Sequence, residues 1–207
     1  MTIFLLIRHG ANDMLNSGIL AGRAKGVHLN AQGREQAAAL AGYLAPWPLK
    51  AVYSSPLERT VETAEPIAQA QGQTVTIQPA INEVEFGSWT GRRYNDLSGD
   101  PRWQDFNAAR SSTRIPSGEI GLEVQVRMLS AMEEMRCAHG ACMLALVSHG
   151  DPIRSVMAHC LGMPLDFIHR FEISPASVSV VDLTYWHAPR ILCMNNTGKD
   201  LPLQLNR

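Results

Sequence analysis

Apolar residues in this chain recur with two different periods. Residues 3–7 (IFLLI) and 143–147 (MLALV) are continuous apolar runs, with the length of strands buried on both faces. Over 31–44 the pattern changes: Ala37, Leu40, Ala41 and Leu44 recur at the spacing of one helix face, Asn30 stands where an N-cap belongs, and Pro46 and Pro48 end the segment. The same reading predicts strands over 2–8, 51–54, 74–77 and 143–147. It predicts helices over 119–137 and 152–161, and one that Pro56 opens at its first turn. Residues 177–183 and 191–195 follow as edge strands, at least one antiparallel.

Strand alternating with helix predicts an α/β fold, a three-layer α/β/α sandwich around a mostly parallel sheet with an antiparallel edge strand. Two segments fall outside that rhythm. The polar, glycine-studded stretch 10–28 predicts a long loop over the strand ends. The Trp/Gly/Pro-rich stretch 88–118 predicts a lid-like excursion above them, with short helices around 95–97 and 102–109. No internal repeat interrupts the chain.

At 207 residues and 45% hydrophobic content, the chain suits one domain over 1–207. Its 18 Lys+Arg against 19 Asp+Glu give a net charge of -1 with no basic run, which leaves no footprint for nucleic acid or an anionic membrane. Cys137, Cys142, Cys160 and Cys193 form no CxxC pair and are expected to be reduced core thiols. No apolar run approaches the ~20 residues of a membrane span, and no basic leader follows Met1, so the cytoplasm is the expected compartment.

Chemistry enters at the end of the first strand, with Arg8-His9-Gly10. In open α/β sheets ligands bind at such ends. Alone, the tripeptide reads as a solvated arginine and a glycine turn. Three later segments place polar groups in comparable positions: 54–59 (SSPLER), 82–87 (NEVEFG) and 147–150 (VSHG). If these segments converge, Arg8, Arg59 and His149 offer guanidinium and imidazole donors matched to a phosphate. His9 is then the nucleophile, its tautomer set by a backbone carbonyl, and Glu83 the proton donor to a leaving oxygen. Glu85 competes with Glu83, and Arg59 has Glu58, Glu62 and Glu65 as helix-surface alternatives. His28, His139, His159, His169 and His187 show no ligand spacing and read as structural or surface residues. Trp47, Trp89, Trp103 and Trp186 read as core or lid aromatics.

Together with SSPLERTVETA (54–64), NEVEFGSWTG (82–91), PSGE (116–119) and VSHGDPIR (147–154), the RHG tripeptide resembles the histidine phosphatase superfamily, the phosphoglycerate-mutase-like group, branch 1. The resemblance runs from Thr2 to about Leu183. It implies a phosphohistidine mechanism: His9 attacks phosphorus, Glu83 protonates the leaving oxygen and then serves water as base, and Arg8, Arg59 and His149 hold the phosphoryl oxygens. No cofactor is expected, and no metal, since no His or Cys cluster has ligand spacing. The expected partner is a small phosphorylated metabolite, and a homodimer is compatible with the chain.

Departures from the family pattern bear on the substrate. Ala11 and Asn12 stand where many members carry an acidic or hydroxyl residue and then Thr or Ser, so Asn12 or Asn16 is the amide expected on the phosphate. Val84 and Tyr94 stand where mutases carry an arginine and a lysine, and the chain is shorter than the mutases. The expected activity is therefore phosphatase action on a small phosphomonoester, with Arg23, Arg92, Arg93, Arg110 and Arg114 as candidate residues of the substrate rim. A cofactor-dependent phosphoglycerate mutase and a non-catalytic phosphate-binding domain are the alternatives.

Overall fold

Strand β1 (Ile3–Arg8) is paired along both edges, which explains a run without a polar residue until its end. In the computed structural model, which describes residues 1–198, it lies parallel to β4 (Met143–Ser148) on one side and antiparallel to β5 (Val178–Asp182) on the other. With β2 (Leu49–Ser54), β3 (Val75–Ile77) and β6 (Arg190–Asn196) these form one six-stranded sheet in the order β3-β2-β4-β1-β5-β6. The pairings from β3 through β1 are parallel, and those of β5 with β1 and with β6 are antiparallel. The mixed part is thus the β5–β6 side, as the sequence predicts. β6 alone forms that edge, however, since β5 has a neighbour on each side.

Alternate residues of β1 serve opposite faces. Ile3, Leu5 and Ile7 pack with helices α2 (Ala31–Leu44) and α3 (Glu58–Ala70), through Leu40, Leu44, Ala64 and Ile67. Phe4 and Leu6 pack with α6 (Gly121–His139) and α7 (Gly150–Cys160), through Met128, Met132, Ile153 and Val156. Those two cores make the three layers.

Several boundaries differ from expectation for identifiable reasons. The helix after β2 starts at Glu58 rather than at Pro56, because Ser55 and Leu57 first form a turn whose carbonyls accept the Thr60 hydroxyl. Helix α6 starts at Gly121 rather than Glu119, the Gly121 N–H being taken by the Arg110 carbonyl. The 10–28 stretch holds one short helix, α1 (Asp13–Asn16), capped by Asn12, and an antiparallel bridge between Ile19 and Arg93. The 88–118 excursion carries α4 (Tyr94–Leu97) and α5 (Pro101–Ala108) over an apolar cluster of its own, in which Phe86, Trp89, Leu97, Phe106 and Ile115 are buried. Cys142, Cys160 and Cys193 pack partly buried against the two main cores, but Cys137 is exposed on α6, correcting its expected core position. Among the described residues no helix is long and apolar enough to cross a membrane.

Helix α2 touches the backbone that follows β1. A Cβ on Gly33 would lie 2.1 Å from the Ala11 carbonyl oxygen, whereas one on Gly42 of the same helix would meet nothing within 4 Å. Gly33→Ala is therefore expected to lower stability by about 1–3 kcal/mol, as overpacking does. Gly42→Ala should raise it by up to ~1 kcal/mol through helix propensity. Thermal melts of the two variants check this pair of opposite signs.

Candidate active site

Arg8 and Ser148 are register partners at the ends of β1 and β4, so the residues that follow them, His9 and His149, emerge side by side. Their ring centroids are 5.2 Å apart at 63°. Both rings are buried, and His9, with Arg8, Asn12, Arg59, Glu83 and Gly150, lines a cavity of about 200 Å³; His149 stands behind that lining, against His9 and Arg59.

His9 Nδ1 lies 2.8 Å from the Gly10 carbonyl oxygen. A carbonyl only accepts, so Nδ1 carries the hydrogen and Nε2 keeps its lone pair. Burial, reinforced by the charges of Arg59 and Arg8, holds this imidazole well below its usual pKa. His9 is thus a neutral base with one nitrogen fixed.

His149 is fixed at both nitrogens. Arg59 Nη2 donates to its Nδ1 at 3.3 Å, which leaves the hydrogen on Nε2 to be donated to Ser55 Oγ at 2.8 Å. Ser55 in turn donates to Asn82 Oδ1 at 3.2 Å. Burial and then Arg59, His9 and Arg8 lower the His149 pKa as well.

Arg59 comes from the first turn of α3 and is 1% exposed. Its Nη2 also donates to the Gly22 carbonyl at 2.8 Å, and Arg8 Nη1 donates to the Ile173 carbonyl at 2.6 Å. Their remaining donors are unusual: Arg59 Nε and Nη1, Arg8 Nε and Asn12 Nδ2 are all buried and have no hydrogen-bond partner among the described residues. Such groups are rare in folded proteins and ask for an acceptor. Asn12 uses its other side-chain atom, Oδ1, to cap α1 through Leu15 N at 3.1 Å. The side chain of Asn16, the other candidate amide, lies outside the described residues.

Glu83 sits after a 3₁₀ turn (Pro79–Ile81), its Oε2 3.8 Å from His149 Nδ1. Burial, then the charge of Asp151, raises its pKa to about 7 against the pull of Arg59, of the Val84 N–H and of Arg8. A carboxyl poised near neutrality, lining the same cavity as the neutral His9, is able to give and take a proton there. Glu85 does not line the cavity; its carboxylate meets Arg23 Nη1 at 3.4 Å and the Gly87 N–H at 3.3 Å.

Of the five rim candidates only Arg110 lines the cavity. Its Nη1 pairs with Asp151 Oδ2 at 2.7 Å, and its Nη2 donates to Asn107 at 2.8 Å. Arg114 is exposed and pairs with Glu123, and Arg92 lies 3.9 Å from Asp100. Arg93 is exposed at the start of α4, and Arg23 turns away from the cavity to the Glu83 carbonyl. Their charges were legible in the sequence, but the acidic partners of Arg23, Arg92 and Arg114 were not.

Residues outside the expected set also reach the cavity: Phe86, Trp103, Asn107, Asp151, Arg154 and His169. Asp151 and Arg154 follow His149 on the first turn of α7, so helix geometry alone placed them near. Burial pushes the Asp151 pKa up, but Arg110 and Arg154 outweigh it and hold the group well below the usual carboxylate range. His169, expected to be structural or at the surface, comes from a 3₁₀ segment (Leu165–Arg170), and no sequence signal ties it to the site.

Residues 4–197 match the family model of the histidine phosphatase superfamily (branch 1). Phosphoserine phosphatase 1 of Hydrogenobacter thermophilus is 30% identical over 189 residues, which cover 88% of this chain and 87% of that protein. The bifunctional protein Rv2228c of Mycobacterium tuberculosis is 29% identical over 95% of this chain; the chain spans about half of that relative's length, 54%. A crystal structure of a phosphoserine phosphatase mutant from Entamoeba histolytica, in complex with phosphoserine, superposes with a TM-score of 0.87. It covers 96% of this chain and 99% of its own at 23% identity, a likeness of fold.

Proposed function

Because the chain belongs to branch 1 of the histidine phosphatase superfamily, we propose that it hydrolyses a small phosphomonoester through a phosphohistidine on His9, without a metal ion. The observation that carries this reading is the gathering of unpaired buried donors on Arg8, Arg59 and Asn12 around the free Nε2 of a neutral His9. A phosphoryl group supplies the acceptors those donors lack.

The reaction has two steps. His9 Nε2 forms a bond to phosphorus as the phosphorus–oxygen bond to the alcohol breaks, and Glu83 gives its proton to the departing oxygen. Water then attacks phosphorus, Glu83 takes the water proton, and the P–N bond breaks to release inorganic phosphate. Arg8 and Arg59 neutralise the charge on the non-bridging oxygens, as guanidiniums and metal ions do at other phosphoryl-transfer sites, and His149, with its one N–H given to Ser55, positions Arg59 through Nδ1.

The surroundings favour a hydrolase over a mutase. A bisphosphorylated substrate needs free cations beyond the first phosphate. Here Val84 is buried in an apolar cluster, Tyr94 occupies the cavity wall, and Arg110 is already held by Asp151 and Asn107.

Hydrolysis of nitrophenyl phosphate by chelator-treated protein tests the reading. Full activity after chelation, and inhibition by vanadate occupying the same donors, are expected. Activity lost to chelator and restored by a divalent metal contradicts metal independence. Phosphate binding without any turnover selects the non-catalytic alternative.

A further inference from the structure

Glu119 belongs to the PSGE segment, yet it lines no part of the cavity and the mechanism leaves it without a task. It is the hub of an ion cluster behind Glu83. Its Oε2 accepts from Arg23 Nη2 at 3.0 Å, from Arg127 Nη2 at 3.1 Å and from the Glu85 N–H at 2.9 Å, while Oε1 accepts from Arg127 Nε at 2.9 Å. Burial works against the charge, but these donors, Arg127 foremost, hold the carboxylate below its usual pKa.

The two arginines turn their other nitrogens onto the backbone that carries the acid. Arg127 Nη1 donates to the Ala80 and Asn82 carbonyls, both at 2.7 Å, and Arg127 Nη2 to the Glu83 carbonyl at 3.0 Å. Arg23 Nε reaches the same Glu83 carbonyl at 2.8 Å. No strand of the sheet includes residues 80–85, so these bonds, with the burial of Ile81 and the bond of Ser148 Oγ to its carbonyl, hold that backbone, and at the Glu83 carbonyl the two arginines are the donors. Each arginine binds both the hub and the loop, and the cluster therefore acts as one unit.

We propose that Glu119 is a positioning residue for the proton donor: through Arg127 and Arg23 it holds the Glu83 backbone so that the Glu83 carboxyl stands where the leaving oxygen departs. The proposal rests on Glu83 being that donor. It assigns Arg23 a task behind the acid in place of its expected place on the substrate rim. The cost of misplacing the acid falls on leaving groups that need a proton, and a generally weakened fold makes no such distinction.

Pre-steady-state phosphorylation bursts, measured on the full chain with an alkyl phosphate and with nitrophenyl phosphate, test this. Glu119→Gln should slow the alkyl burst about 10- to 100-fold, the scale of a misplacement near 1 Å, and leave the nitrophenyl burst within about 2-fold. In a Glu83→Gln background it should cause no further alkyl loss, because the positioned group is already gone. Equal slowing of both substrates, or an additive loss in that background, overturns the proposal. Arg23→Gln removes one donor to the same carbonyl from the 10–28 stretch. It should show the same discrimination at smaller size, and its absence there overturns the proposal even if Glu119→Gln does not fold. Glu83→Gln is the control: if it slows both substrates equally, the acid assignment itself fails and this proposal with it. Discrimination by Glu83→Gln without discrimination by the cluster variants removes the cluster alone.

Discussion

His9→Ala is expected to lower phosphomonoester hydrolysis by roughly 10⁴-fold or more, the scale on which a covalent nucleophile is missed. The fold should survive, since the ring's ordered contacts are the local bond to Gly10 and the edge of His149. His149 cannot take over, because its Nδ1 accepts from Arg59 and its Nε2 is bound to Ser55. Quenched wild-type protein should carry a phosphoryl group that is lost in acid and kept in alkali. Protonating the second ring nitrogen makes imidazole a good leaving group, whereas a phosphate ester on oxygen behaves in the opposite way. An acid-stable adduct points to a hydroxyl nucleophile and removes His9 from the role.

The second large effect concerns Glu83. An alkoxide leaves poorly without a proton, so Glu83→Gln should slow His9 phosphorylation by an alkyl phosphate by about 10²- to 10⁴-fold. Nitrophenolate departs unaided and should suffer far less in that step. Dephosphorylation has to be timed separately, since the same carboxylate serves there as base. The pH dependence follows from the two shifts. Glu83, raised to about 7, holds its proton below that pH, while His9, lowered well below its usual value, stays unprotonated there. The alkyl burst should therefore be flat through mildly acidic pH and fall above about 7, and Glu83→Gln should abolish that alkaline limb. A limb that persists in the variant belongs to another group.

Much of this site is legible in the chain because strand ends are. Two apolar runs, each followed within two residues by a histidine, read as strands with comparable ends, and the structure makes β1 and β4 register partners to their last residues. Asn30 and the apolar spacing of 31–44 mark α2 to the residue. Glu83 was harder, because its segment has no periodicity and only its resemblance to a family separated it from Glu85. The rim was least legible. Five arginines carry the same charge in the sequence, but the fates of four, Arg110, Arg92, Arg114 and Arg23, depend on Asp151, Asp100, Glu123 and Glu119, partners up to 96 residues away. Pairwise ion chemistry across such distances leaves no periodic trace. The β5–β6 side shows the same limit, since a strand's own pattern does not reveal whether another will pair beyond it.

The separate apolar cluster beneath α4 and α5 has a consequence for variation among chains of this design. The two histidines follow strands packed on both faces, so a lost methylene at Leu146 or Ile7 is also felt at their rings. The wall formed by Phe86, Tyr94, Trp103 and Asn107 belongs to or adjoins the other cluster, with its own interior of Trp89, Leu97, Phe106 and Ile115. Under the proposed function, the phosphoryl donors and the wall that a substrate body would meet thus rest on two apolar clusters, which meet at Val84, beside Glu83, and at Val124 of α6.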